Sequence, residues 1–182
     1  MIEKEHDAIK YSDRNPTEFV DYVVSSDDFY RTIHVYFEKN GENDNNIRFE
    51  AGALVADMKA ITDTAARYER MCYFIGHRGD YKDGYVTDTK AGFYITDGVF
   101  GEDYDVAARS IEEYGVALVE TEHEFFVIMR MPKENEHVSR NVNSILSYYY
   151  EKQYFDYKTG VASNLKFEPN KYYATLDILN LD

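Results

Sequence analysis

Residues 51–75 carry a continuous line of apolar side chains at the spacing of an α-helix. Successive members lie three or four residues apart, which places them all on one side of the helix. Such a helix must bury that side against another layer of structure. The line consists of Leu54, Met58, Ile61, Ala65, Tyr68, Cys72 and Ile75. The pattern therefore predicts one long helix over 51–75, ended by Gly76 and Gly79, and a surface that covers it.

Strand patterns predict that this surface is a sheet. Along 29–37 the side chains alternate in character with a period of two, and aromatic and β-branched residues are frequent. Two further strands joined by a short turn form a hairpin pattern. The predicted strands after the first are Ile47–Phe49, Phe93–Ile95, Val116–Glu120, Phe125–Met131 and Tyr172–Leu179.

Three more helices are predicted from capping signals. Asn15-Pro16 starts a short helix that reaches Val24. Asp103 or Asp105 caps a helix that ends at Tyr114, and Asn135 or Ser139 begins a second long helix that reaches about Tyr157. The element order predicts an α+β fold, a single domain in which a mostly antiparallel sheet packs with two long helices. Residues 1–14 are predicted to form an N-terminal arm and 15–182 the domain.

Composition indicates a globular chain. Hydrophobic residues make up 44% of it, with 18 Tyr and 11 Phe, whereas acidic disordered chains are poor in aromatics. The single cysteine, Cys72, excludes an internal disulfide and a zinc site built from several thiolates. It lies on the apolar line, which favours a buried, inert thiol. With no apolar leader at the start of the sequence, we expect a cytoplasmic protein that needs no cofactor.

Negative charge is concentrated in two blocks. Residues 97–124 hold nine acidic residues and only Arg109 as a base, which is net −8 of the chain's −14. Residues 3–28 hold eight acidic residues and three basic ones, another −5. Charge blocks of one sign repel nucleic acid and anionic membranes and attract basic surfaces. The acidic residues of the first block are Asp97, Glu102, Asp103, Asp105, Glu112, Glu113, Glu120, Glu122 and Glu124.

A tyrosine-rich segment lies in the second long helix. Successive helical residues are about a hundred degrees apart, so these rings cannot all face the core. Tyrosine suits protein interfaces because it combines apolar area with a polar tip; a tyrosine-rich core with exposed hydroxyls is the alternative. The segment contains Tyr148, Tyr149, Tyr150, Tyr154, Phe155 and Tyr157.

Length, the acidic run Asp97–Glu124 and the segment Tyr148–Tyr157 together resemble the type II anti-CRISPR proteins, Cas9 inhibitors encoded by bacterial mobile elements or phages. The resemblance implies a non-enzymatic inhibitor in the bacterial cytoplasm. It would bind a basic nucleic-acid-handling protein, a Cas9-type nuclease or its guide-RNA complex, and obstruct DNA binding or cleavage. The nine acidic residues above would meet that partner, together with Tyr148, Tyr149, Tyr150 and Tyr154. Neither nucleic acid alone nor a membrane is an expected partner.

Two other classes of function remain open from the sequence. An enzyme with an acidic site could use His77, Asp80 and Asp83, or Glu120, Glu122 and His123, the second set with a divalent metal. A self-associating regulatory protein could use the tyrosine-rich helix as a homodimer face.

Overall fold

The computed structural model describes residues 16–77 and 90–164 of the chain. The helices and strands follow one another in an α+β order. In chain order they are α1 (Pro16–Ser25), β1 (Tyr30–Glu38), α2 (Asp44–Ala60), α3 (Thr64–His77), β2 (Phe93–Ile95), α4 (Glu102–Ser110), β3 (Val116–Glu120), β4 (Glu124–Met131) and α5 (Asn135–Asn164).

One four-stranded sheet organises the fold, in the spatial order β2-β1-β4-β3. Every pair is antiparallel, and the central pair β1–β4 runs in register from Arg31 opposite Met131 to Glu38 opposite Glu124. The hairpin predicted for β3 and β4 is present, since Thr121 closes the turn by donating its backbone N–H to the carbonyl of Glu124. The predicted α+β class with an antiparallel sheet is confirmed.

The two faces of the sheet are covered differently. Helices α2 and α3 cover one face, and their buried side chains meet the odd-numbered side chains of β1. Helix α4 lies against β1, β3 and β4 on the other face. The core on the α2/α3 side includes Ile33, Val35, Phe37, Leu54, Val55, Met58, Met71, Phe74, Val127 and Met129. The core on the α4 side includes Tyr30, Ile95, Tyr104, Ala108, Val119, Phe126 and Ile128.

The prediction of one helix over 51–75 is wrong, because one helix ends at Ala60 and the next begins at Thr64. Asp63 accepts the backbone N–H of Ala66 at 2.7 Å and so caps the start of α3. The guanidinium of Arg67 donates to the carbonyl of Ile61 at 2.6 and 2.9 Å, which satisfies a free carbonyl at the end of α2. The apolar line therefore continues across two helices.

Other predicted elements also change. Ile47–Phe49 is helical within α2, so the strand predicted there is wrong. Helix α4 ends at Ser110, four residues before the predicted end, and Asp105 is buried within it instead of capping it. Helix α5 continues to Asn164, past the predicted end at Tyr157. The predicted strand over 172–179 lies outside the described residues.

Among the described residues, contacts group 16–77 and 90–145 into one compact unit, which holds the four-stranded sheet, and assign 146–164 to a second unit. The division into an arm over 1–14 and a domain over 15–182 stays a prediction, because residues 1–14 lie outside the described part. No helix described is at once long enough and apolar enough to cross a bilayer.

Candidate functional site

A cavity of about 400 Å³ opens on the α4 side of the sheet. Strand β1 contributes its even-numbered side chains, because alternate residues of a strand point to the same face. Strand β4 contributes two residues, and the loop that precedes α4 forms one wall. The lining residues are His34, Tyr36, Glu38, Val99, Phe100, Glu124 and Phe126.

His34 is the buried histidine of this cavity. Its Nδ1 lies 2.9 Å from the hydroxyl of Tyr104, which in turn lies 2.9 Å from Oγ1 of Thr32. Burial lowers the pKa of His34 from 6.5 to about 4, so the imidazole is neutral at pH 7. Burial also raises the pKa of Tyr104. A series of neutral polar groups linked by hydrogen bonds, called the polar chain below, therefore runs from the cavity into the protein interior.

Aromatic rings surround that imidazole. Phe93 stacks on it with ring centroids 5.6 Å apart. Phe100 and Phe126 present their edges at 5.2 Å each, and Tyr36 lies at 6.4 Å. Edge-on and stacked geometries of this kind are favourable between aromatic rings. The result is a ring-lined cavity in which the imidazole carries no charge.

The wall loop, residues 97–101, is tied to α4 and to β1. Asp105 of α4 accepts the backbone N–H of Gly98 at 2.7 Å and the hydroxyl of Tyr30 at 2.5 Å. Burial and the hydrogen bond to Asp105 both raise the pKa of Tyr30, which keeps its hydroxyl protonated as a donor. Arg109 holds the start of the loop by donating to Asp97 at 2.6 and 3.0 Å.

The mouth of the cavity is acidic. Glu38 and Glu124 both line it and lie directly opposite each other in the β1–β4 register. Oε2 of Glu124 accepts the hydroxyl of Thr121 at 2.8 Å. Within the described ranges, no group of three or more His, Cys, Asp or Glu side chains is placed to hold a metal ion. The chemistry that these residues offer is enclosure of an apolar group beside a neutral imidazole.

Sequence reasoning did not identify His34, Phe100 or Phe126 as site residues. The available signal was the even-numbered face of β1, where Thr32, His34 and Tyr36 follow one another. A face of that composition can meet solvent, a helix or a ligand equally well. The other partners come from residues about 70 and 90 positions away, and a local pattern does not pair them.

The nine acidic residues of 97–124 do not form one unneutralised surface. Asp97 pairs with Arg109 at 2.6 Å, Asp105 is buried, and Glu120 pairs with Lys39 at 2.9 Å and also with Arg48. Glu124 lines the cavity mouth. The remaining residues, Glu102, Asp103, Glu112, Glu113 and Glu122, are exposed. Partner binding by this set stays a prediction.

The tyrosine-rich segment is only partly exposed. Tyr150 is buried, with its ring 6.0 Å from that of Tyr149, and Tyr148, Tyr149 and Tyr154 are half-buried. Their role as contact anchors also stays a prediction.

The other predicted constellations are placed as follows. Glu122 lies 3.8 Å from His123, while Glu120 is held by Lys39 and Arg48, so the three side chains do not converge. His77 stacks on Tyr73 at 4.2 Å, and Asp80 and Asp83 lie outside the described residues. Cys72 is half-buried, not fully buried as predicted.

No protein-family model matches the chain, and no curated protein does. Among solved structures, the chain is similar to one described with PEB4 and the periplasmic protein Cj1289, two SurA-like chaperones of Campylobacter jejuni. The identity is 12% and the TM-score 0.46, over 92% of this chain and 67% of the other. It is also similar to PrsA from Bacillus subtilis, with 13% identity and a TM-score of 0.41, over 91% of this chain and 59% of PrsA.

These comparisons overturn the resemblance to anti-CRISPR proteins. Neither structure is a Cas9 inhibitor, so the predictions of a mobile-element inhibitor and of a Cas9-type or other basic nucleic-acid-handling partner are wrong. The predicted cytoplasmic location is wrong on the same comparison, which includes a periplasmic protein. The alternatives of a metal-dependent enzyme and a self-associating regulator do not match either. At these TM-scores the likeness assigns neither a family nor an activity to this chain.

Proposed function

We propose that the protein binds segments of other polypeptides by enclosing one apolar or aromatic side chain in the ring-lined cavity. The observation that carries the proposal is the cavity itself. It measures about 400 Å³ and sits beside neutral His34, between Phe100 and Phe126. Volumes of 300–1,000 Å³ are typical of ligand sites, and an aromatic side chain is a small occupant for this one.

The chemistry of the lining favours an uncharged ring as the occupant. The low pKa of His34 means that its imidazole brings no charge to be desolvated when the cavity fills. Each aromatic side chain buries about 150–250 Å², and ring pairs add roughly 0.5–1.5 kcal/mol beyond that area. A ring entering beside Phe100 and Phe126 gains both contributions.

The position of the cavity favours a polypeptide as the ligand. The cavity lies where β1 ends, at Glu38, and where β4 begins, at Glu124. A polypeptide on either side of the bound residue can therefore continue into solvent. Aromatic residues at a central patch with a polar rim are the usual composition of protein interfaces. The Campylobacter proteins are described as chaperones, but that likeness is too distant to support the proposal.

The absence of tryptophan from the sequence makes a direct test available. A short flexible peptide with one central tryptophan is titrated with the protein, and only the tryptophan is excited. We expect its emission to shift to shorter wavelength as the indole leaves water. The same peptide with alanine at the centre should fail to compete.

A matched pair of valines locates the binding. Val99 lines the cavity, whereas Val106 is 62% exposed on α4 and is not part of the lining. Val99→Gln should weaken binding about tenfold by placing an amide against the ring, and a factor of ten corresponds to about 1.4 kcal/mol. Val106→Gln should bind as the parent does. The absence of any emission shift, or equal loss in both variants, would exclude the proposal.

A further inference from the structure

The loop that forms one wall of the cavity contains two glycines with positive φ angles. Gly98 has φ +90° and Gly101 has φ +92°, and they flank the lining residues Val99 and Phe100. Such left-handed backbone is readily adopted by glycine and rarely by other residues. A Cβ atom built at either glycine would meet nothing within 4 Å. Steric packing at these two glycines therefore does not determine the position of the wall loop.

Besides the hydrogen bonds from Arg109 to Asp97, hydrogen bonds to one buried carboxylate hold the wall loop in place. Asp105 is 7% exposed, and its two oxygens have different partners. Oδ2 accepts the N–H of Gly98 at 2.7 Å, and Oδ1 accepts the hydroxyl of Tyr30 at 2.5 Å. Asp105 therefore forms a bridge between the wall loop, at Gly98, and the side chain of Tyr30.

The bridge through Asp105 ends on β1, one of the two central strands of the sheet. Tyr30 is fully buried in β1, the strand that also carries His34. The guanidinium groups of Arg109 and Arg130 lie over its ring, at 5.1 and 5.4 Å from the centroid. The tyrosine is therefore held in place, and the bridge through Asp105 transmits its position to the wall loop.

We propose that Asp105 and Tyr30 are positioning residues for the cavity: together they hold the wall loop at the distance from β1 that lets Val99 and Phe100 close on a ligand. Neither residue belongs to the lining. The inference rests on the proposed function, since it concerns affinity at the same cavity. It predicts that ligand affinity depends on two side chains that a ligand does not touch.

Asp105→Asn is the main test, with Asp44→Asn as its matched control. An asparagine keeps an acceptor oxygen at only one of the two carboxylate positions and presents an NH2 donor at the other, so it cannot accept from both Gly98 and Tyr30 in this geometry. Asp44 also accepts the N–H of a glycine with positive φ, Gly41 at φ +79°, at 2.9 Å, but it uses one oxygen for this contact and for the N–H of Asn40. The cavity is not lined by that loop.

Two readouts are taken on folded protein, well below the unfolding transition of each variant. In Asp105→Asn the Gly98 amide should exchange with solvent faster, and affinity for the tryptophan peptide should fall about tenfold. Asp44→Asn makes the same carboxylate-to-amide change in a loop outside the lining, so peptide affinity should stay at the parental value. A purely structural role would lower the unfolding midpoint and leave the affinity of folded protein unchanged.

Tyr30→Phe provides the second variant if Asp105→Asn does not fold, because it keeps the ring under both arginines and removes only the hydroxyl. Tyr30→Phe should lower the affinity for the tryptophan peptide about fivefold. Parental affinity in these variants, despite faster exchange at Gly98, would overturn the inference and leave the proposed function intact. Failure of the parent protein to bind any peptide would overturn both.

Discussion

The two faces of the sheet differ although the same strands build them. On the α2/α3 face, β1 contributes Ile33, Val35 and Phe37, which are all apolar and buried. On the α4 face, the even-numbered positions Thr32, His34 and Tyr36 carry polar atoms, and a nine-residue helix leaves part of the face open. The closed face supplies apolar burial, and the open face combines buried polar groups with a cavity. Stability and ligand binding are therefore expected to respond to different substitutions.

The largest expected effect is on the closed face. Met58 is fully buried between α2 and the sheet. Met58→Ala should lower the free energy of unfolding by about 3 kcal/mol, since it removes buried area and leaves a void. Urea unfolding measures the change, and Val106→Ala on exposed α4 surface should stay within about 0.5 kcal/mol. Comparable losses in both variants would mean that the faces do not differ as described.

The next effect concerns pH and the open face. The pKa of His34 is 6.5 unfolded and about 4 folded, so the unfolded chain takes up a proton first as pH falls. Stability from this group is complete above pH 6.5 and declines between pH 6.5 and 4. The total loss is roughly 3 kcal/mol at 1.36 kcal/mol per pH unit. The measurement is the slope of unfolding free energy against pH in this window.

His34→Gln removes the titrating group, so that slope should become shallower by up to about 1.4 kcal/mol per pH unit, whatever the variant's absolute stability. His123 is exposed in the β3–β4 turn, and His123→Gln should keep the parental slope. An unchanged slope in His34→Gln would show that His34 protonates freely in the folded protein.

The smallest effect is on the polar chain behind the cavity. Thr32 is fully buried, and its Oγ1 lies 2.9 Å from the Tyr104 hydroxyl. Thr32→Val keeps the shape and removes one hydrogen bond, which should cost roughly 1 kcal/mol of unfolding free energy. Thr64→Val, at an exposed position of α3, should be near neutral. Equal effects would indicate that the Thr32–Tyr104 hydrogen bond adds no stability.

Local sequence patterns predicted most of the helices and strands but missed the boundary between α2 and α3. Alternation identified β1, and the short connection of a hairpin identified β3 and β4, because both signals lie in neighbouring residues. The apolar line over 51–75 did not reveal the break at 61–63, since that break depends on Asp63 and Arg67 making hydrogen bonds across it. The same limit applies to the acidic run, whose members are separated by pairing with Lys39, Arg48 and Tyr30.

By itself, the sequence determined that the chain forms an α+β domain, which residues alternate on each strand, and that the acidic residues are clustered along it. Tertiary structure alone decided which sheet face is left open, which carboxylate is buried, and that Thr32, His34 and Tyr104 form one polar chain. The physical reason is distance along the chain. Periodicity is written in adjacent residues, whereas a cavity and its hydrogen bonds join residues about 70 positions apart, which meet only after the layers have packed.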